Sequence, residues 1–293
     1  MMTNRSQIRR CALNLIYALA ENGGDAAAFD RELFWGIALE KETERYRTAQ
    51  AKALLHATRT SADSARLLVE RSRQVENAMH GDLTTAALRE DVARYAQRSA
   101  AFESAVEQLR HSLTDKRRQS WEPLAEAAAA VMQGAGVLTE LGDALLPALA
   151  DAVPYRAVTE PYSALIRRRA RMLAAAVALR DPLSMEPQKD IEGLQKQARY
   201  LAEIRPAAEA LADAVLAKQT ELEGVMEPLL AHYTTERLDA VDKAILLIAL
   251  YELRVSKLDV AIVVSEANAL ADAYSGSKSA PFIHGILAAA AKL

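Results

Sequence analysis

Three closely spaced helical segments between Leu238 and Leu287 constrain the fold of this chain more than any other feature. They are LDAVDKAILLIALYELR, DVAIVVSEANALADAY and PFIHGILAAAAKL, and the turn SGSKSA introduces the last of them. Asp239 and Asp259 stand where a helix start leaves N–H groups without partners, and Gly276 suits a helix end. Because such short turns join them, the three helices are expected to pack on one another.

The first of these segments contains an uninterrupted apolar run, residues 244–250. It is much shorter than the roughly 20 apolar residues that cross a bilayer. A helix that is apolar nearly all round is typical of the centre of a bundle. The run therefore predicts the central helix of a soluble helical domain.

Composition extends this prediction to the whole chain of 293 residues, which is 51% hydrophobic and 5% aromatic, with 11 glycines. That balance favours helices over strands, and we expect an all-α protein. The formal net charge of −3 argues against a general polyanion binder, so any nucleic-acid contact should be a local patch. The single cysteine, Cys11, and the lack of a signal-peptide pattern predict a cytoplasmic protein.

The N-terminal segment predicts an amphipathic helix with a cationic edge. Arginines lie outside its apolar stripe at Arg5, Arg9 and Arg10, one turn apart or adjacent. In an isolated helix such a group is most simply a solvated basic face.

Four stretches carry a resemblance to a known family. LDAVDKAILLIALYEL and VVSEANALADAYSGSKSAPFIHGIL resemble the C-terminal part of the NusB family of bacterial transcription antitermination factors. RSQIRRCALNLIYALAENG resembles its arginine-rich first helix, and RPAAEALADAVLAKQTELEGVMEPLLAHYTTERL resembles the helix that leads into its C-terminal half. Together they cover less than half of the chain. The resemblance implies a helical bundle of two small subdomains, to which this chain adds a large α-helical region.

The resemblance also implies a function. Proteins of this family bind the single-stranded boxA element of ribosomal transcripts with the small-subunit ribosomal protein NusE, and the pair favours an antitermination complex on RNA polymerase. Cationic side chains and aromatic rings are the groups that hold single-stranded RNA. The matching positions here are expected to bind RNA through Arg5, Arg9, Arg10, Lys278, Ser279 and Phe282. Tyr17 and Asp242 match positions used against NusE.

The turn before the last helix departs from the family pattern. Lys278 stands where the family often has an acidic residue, and Ala280 and Pro281 replace a longer polar pair. The added charge should strengthen phosphate attraction and its salt dependence. The missing polar groups weaken the case for the same RNA sequence preference.

Two domain arrangements are compatible with the sequence, because residues 166–179, IRRRARMLAAAVAL, also resemble the family's first helix through Arg167, Arg168, Arg169 and Arg171. In the favoured arrangement residues 1–22 supply the first helix, 23–185 are a helical insertion and 186–293 complete the NusB-like domain. In the other, residues 1–155 form a separate helical domain and 160–293 a complete NusB-like domain.

The region between these segments reads as further helices. Apolar residues from Leu88 to Leu113 recur three and four apart, which predicts an antiparallel helix pair within a bundle in preference to an intermolecular coiled coil. Residues 29–58 read as one long helix. Pro147 and Pro161 are expected to break their region into short helices, and Pro206 to begin a new one.

No catalytic constellation is evident in the sequence. The five histidines lack partners at metal-ligand spacing, and no nucleophile elbow is present. We expect a protein that is not an enzyme and that requires no metal or cofactor. The alternative to an RNA-binding factor is a helical protein-interaction scaffold whose RNA surface has decayed.

Overall fold

The structure, a computed structural model, describes residues 4–23, 28–117, 119–230, 234–276 and 278–292. Helices make up nearly all of these residues, and no strand occurs among them. The expectation of an all-α protein is therefore confirmed. No helix in the described ranges has the length and apolar character needed to traverse a membrane.

Twelve α-helices follow one another along the described chain. They are α1 (Asn4–Glu21), α2 (Arg31–Ala38), α3 (Glu40–Ala57), α4 (Ser61–Ala78), α5 (Ala86–Thr114), α6 (Glu122–Asp151), α7 (Arg156–Ala178), α8 (Glu192–Ala217), α9 (Gln219–Met226), α10 (Ala240–Arg254), α11 (Val260–Tyr274) and α12 (Ser279–Ala290).

The chain divides into two compact units. The first, here called the split unit, combines Met1–Glu40 with Tyr200–Leu293, and the second, the inserted unit, is Lys41–Arg199. The second boundary falls inside α8. The split unit holds more acidic than basic residues, whereas the inserted unit holds more basic than acidic ones.

The inserted unit contains a four-helix bundle. Helix α5 packs on α4 and α6, and α7 packs on α6 and α4, which closes the bundle. The seam of α5 buries Tyr95 and Phe102 within this chain, as predicted for an intramolecular bundle. Gly142 of α6 allows close packing, since a Cβ there would lie 3.1 Å from Cγ2 of Ile166.

Four predictions about helix boundaries are wrong. The helix expected over residues 29–58 is divided at Leu39 into α2 and α3. No break occurs at the prolines, because α6 continues through Pro147, α7 through Pro161 and α8 through Pro206. A proline removes one helical hydrogen bond and costs about 3 kcal/mol. Packing of long helices offsets that local cost, so proline does not end them here.

The core of the split unit is built around α10. Residues 244–250 are all buried, as predicted for a central helix, and α1, α9, α11 and α12 pack against it. Asp239 begins α10 by accepting a hydrogen bond from the Val241 N–H at 2.9 Å, and Asp259 caps α11 in the same way. This core holds α1 beside helices that follow it by more than two hundred residues.

Candidate nucleic-acid interface

Arg9 of α1 lies inside the split unit. It is 4% exposed, and its Nε donates to both carboxylate oxygens of Glu252 on α10 at 2.9 Å. A guanidinium nitrogen lies 3.5 Å from Oε2 of Glu266 on α11, and Oε1 of Glu266 accepts a hydrogen bond from Ser6 at 2.8 Å. One arginine therefore joins α1 to α10 and α11.

This arrangement gives Arg9 a different role from the phosphate contact expected of it. A guanidinium that is buried and shared between two carboxylates cannot reach RNA while the helices stay packed. The signal in the sequence was Glu252, the one acidic residue within the stretch AILLIALYEL of α10, because a buried carboxylate needs a partner. Glu266 on α11 is likewise a structural carboxylate, with Ser6 and Arg9 as its partners.

Arg5 and Arg10 of α1 are exposed, as a cationic edge requires. The Nε of Arg10 donates to the hydroxyl of Tyr274, and the guanidinium carbon lies 5.4 Å from the centre of the tyrosine ring. Tyr274 is the last residue of α11 and immediately precedes the turn into α12. The exposed edge of α1 therefore lies beside that turn.

Asp242 holds the turn in place. It is 8% exposed, its Oδ1 accepts a hydrogen bond from Ser275 at 2.7 Å, and its Oδ2 accepts one from Ser279 at 2.9 Å. The hydroxyls of Ser275 and Ser279 are themselves 2.8 Å apart. The hydroxyl of Ser279, expected to contact RNA, is thus used within the chain, and the carboxylate of Asp242 is largely satisfied internally.

The same turn borders a pocket of about 240 Å³. Its lining includes Lys278, Ser279, Phe282 and Asp242, together with Arg237, which sequence reasoning did not select. Lys278 is exposed, and Phe282 is half-buried against the core. Four of the eight predicted site residues therefore surround one cavity, with Arg10 contacting the residue that precedes the turn.

The second arginine cluster lies on α7 in the inserted unit. Arg169 is 1% exposed, donates to the hydroxyl of Ser99 at 2.9 Å and pairs with Glu103 at 3.1 Å. Burial is the main cause that raises the pKa of the Glu103 carboxyl. The neighbouring Arg168 and Arg171 are exposed, and Arg167 pairs with Glu160 at 3.2 Å.

The remaining predicted contact, Tyr17 on α1, is 38% exposed and so is accessible to a partner. Cys11 is buried, as expected of a small apolar side chain. Within the described ranges, no three histidine, cysteine, aspartate or glutamate residues are grouped so that they could hold a metal ion.

These features define an α-helical protein in which an arginine-bearing helix and a cationic turn with an aromatic ring lie near each other. The model of the NusB family matches residues 166–292. The match confirms the predicted resemblance to that family over this part of the chain, and residues 1–165 lie outside it.

Three curated relatives show how far the similarity extends, and each is named transcription antitermination protein NusB. The protein of Acidothermus cellulolyticus is 39% identical over 80 residues, which are 27% of this chain and 55% of the relative. That of Campylobacter curvus is 35% identical over 75 residues, 26% of this chain and 57% of the relative. That of Listeria innocua is 32% identical over 81 residues, 27% of this chain and 63% of the relative. The chain thus spans little more than half of each relative's length.

The family match and the compact units divide the chain differently. The match begins at residue 166, within α7 of the inserted unit, whereas the split unit takes α1 from the N-terminus. Both helices carry consecutive arginines, and each buries one of them against a glutamate, Arg9 in α1 and Arg169 in α7.

Proposed function

We propose that this protein is a transcription antitermination factor that binds boxA-like single-stranded RNA of ribosomal transcripts together with the NusE ribosomal protein. It acts in an antitermination complex with RNA polymerase and catalyses no reaction. Its similarity to proteins named as antitermination factors supports this proposal. The split unit is acidic as a whole, so RNA would be held by a local surface and not by a general positive field.

The observation that carries the proposal is the clustering around the turn before α12. Lys278 and Phe282 border one pocket, and Arg10 contacts Tyr274 at the start of the same turn. A cation for phosphate and a ring for a base are the two elements that single-stranded RNA recognition needs. Arg5, exposed one turn before Arg9 on α1, adds a second phosphate contact.

The proposal includes a domain assignment. Residues 1–22 supply the first helix of the NusB-like domain, residues 186–293 supply the remainder, and residues 23–185 are the helical insertion. Support comes from α1, which shares a buried core and the Arg9–Glu252 pair with α10.

Partner binding is assigned to Tyr17, whose exposed ring lies on α1 and suits a protein contact. Asp242 is assigned to the same interface only through its small exposed edge. NusE would then bind the split unit on the helix that also carries Arg10.

An RNA titration with and without NusE tests the function. Arg10→Ala should weaken binding of a boxA-like oligonucleotide roughly fivefold, about 1 kcal/mol, and reduce the salt dependence. Arg171→Ala, which removes an exposed arginine from the inserted unit, is the matched control and should leave the affinity unchanged. A loss with Arg171→Ala alone would transfer the site to α7. If the intact chain binds no RNA, the scaffold alternative replaces this proposal.

A further inference from the structure

We propose that Arg237 and Lys278 together bind one phosphate group of the RNA at the pocket that Phe282 borders. The inference rests on the proposed RNA-binding function and adds a residue to its site. It makes the pocket a place for a single nucleotide, with the phosphate between the two cations and the base against the ring.

The two cations come from different parts of the split unit. Arg237 ends the short helical turn Thr235–Arg237 that precedes α10, and Lys278 precedes the first residue of α12. Both side chains are exposed and line the same pocket of about 240 Å³. Among the residues that the structure describes, neither forms an ion pair, so their charges are available to a ligand.

Two carboxylates also line the pocket, and their hydrogen bonds decide whether it favours an anion. Asp239 accepts the N–H of Val241 at the start of α10. Both oxygens of Asp242 accept serine hydroxyls, from Ser275 and Ser279. Three of these four carboxylate oxygens therefore accept hydrogen bonds from within the chain, whereas the guanidinium and the ammonium group form no ion pair among the described residues.

The hydrogen bonds of Asp242 also link the two chain segments that carry the cations. Asp242 belongs to α10, which follows Arg237 closely, and its two serine partners flank Lys278 on either side. It is thus a positioning residue that joins the segment of Arg237 to the turn of Lys278. Because the two segments are already joined, no backbone ordering is needed to bring both cations to one phosphate.

Phe282 supplies the apolar wall. It is half-buried, so one part of the ring packs on the core and the rest borders the pocket. A base placed against an aromatic ring gains stacking energy whatever its identity. The pocket therefore fits a nucleotide better than it fits inorganic phosphate or a peptide carboxylate, which have no base to stack.

The first experiment compares Arg237→Ala with Arg254→Ala in the full chain. Arg254 is another exposed arginine of the split unit, at the opposite end of α10, and lies outside the pocket. The probe is a short fluorescein-labelled single-stranded RNA of boxA-like sequence, titrated over a range of salt concentrations. Arg237→Ala should weaken binding about fivefold and lower the slope of log K against log salt by about 0.7, the value for one phosphate on a single strand.

The control variant should match the wild type in both quantities. Arg237→Lys keeps the charge and should recover most of the slope. If the wild type binds and Arg237→Ala behaves as Arg254→Ala does, the pocket assignment is wrong while the RNA-binding function stands. If the wild type does not bind RNA, the proposed function itself fails.

A second variant separates stacking from charge. Phe282→Leu retains an apolar side chain against the core but removes the ring. It should weaken binding about fivefold or more while the salt slope stays at the wild-type value. If Phe282→Leu changed the salt slope but left the RNA affinity at high salt unchanged, a base lying against Phe282 would be contradicted. Circular dichroism of each variant checks that the helices are intact.

Discussion

Replacing Arg9 by alanine removes the only cation from a buried cluster with two glutamates, as far as the described residues show. The Nε of Arg9 donates to both oxygens of Glu252, and Glu252 is 7% exposed. Without the guanidinium, the carboxylate of Glu252 loses its partner in a site that water barely reaches. Glu266 is more exposed and keeps the hydroxyl of Ser6.

The expected cost follows from this geometry. Removing one partner of a buried ion pair costs about 3–5 kcal/mol, because the charge left behind remains desolvated. An exposed surface substitution usually changes stability by less than about 0.5 kcal/mol. Arg5→Ala, which alters an exposed arginine of the same helix, is therefore the matched control.

Urea unfolding of the split unit measures the effect. Trp35 is buried in that unit and Trp121 belongs to the other, so a Trp121→Phe background makes tryptophan fluorescence report the split unit alone. The double variant Arg9→Met, Glu252→Leu leaves no unpaired charge at the Glu252 position and should recover a large part of the loss. The cycle built from the single and double variants gives the coupling of the pair.

Two results together would contradict a buried, structural Arg9. If Arg9→Ala unfolded within about 0.5 kcal/mol of Arg5→Ala and weakened RNA binding as much as Arg10→Ala does, Arg9 would be a surface contact. A stability loss seen only in a Trp35→Phe background, in which Trp121 reports the inserted unit, would also contradict the placement of α1 beside α10.

Two further outcomes test the inserted unit. Gly142→Leu should destabilise the inserted unit by about 1–3 kcal/mol, because the new side chain would press on the neighbouring helices. The control Gly136→Ala, whose added Cβ meets nothing within 4 Å, should raise the melting temperature slightly. Equal effects of the two substitutions would contradict close packing at Gly142. Hydrogen bonds from Thr84, and to a smaller extent from Tyr155, lower the pKa of Asp82. The ionised Asp82 carboxylate therefore stabilises the fold above the ordinary aspartate pKa, and this contribution is lost as the pH falls toward the lowered pKa. Asp82→Asn should therefore unfold with less acid dependence in that range, and an unchanged pH profile in urea titrations would count against the hydrogen bonds.

Much of the fold was predictable because it depends on local pattern. The apolar run of α10, its start at Asp239 and the seam of α5 each follow from residue spacing within one segment. The wrong predictions at Pro147, Pro161 and Pro206 have one cause. Local proline rules neglect the packing energy that keeps a long helix continuous.

The candidate site was predictable only in part. Lys278 and Phe282 could be selected from the turn and its resemblance, and the structure places both at one pocket. Arg237 could not, since it lies alone between helices and its proximity to Lys278 depends on how α10 and α12 pack. Arg9 could not be separated from Arg10, because one residue of helical rotation decides which of them enters the core.

The sequence by itself determined the helices, the apolar centre of α10 and the set of arginines and aromatic residues from which a site can be made. Tertiary structure alone decided that α1 packs on α10, that Arg9 pairs with two glutamates, and that Arg237 and Lys278 border one pocket. The physical reason is the separation along the chain of the residues that interact. Helix formation depends on neighbours within a few residues, whereas burial, ion pairing and the convergence of side chains depend on segments that lie far apart in the chain, by 243 positions for Arg9 and Glu252.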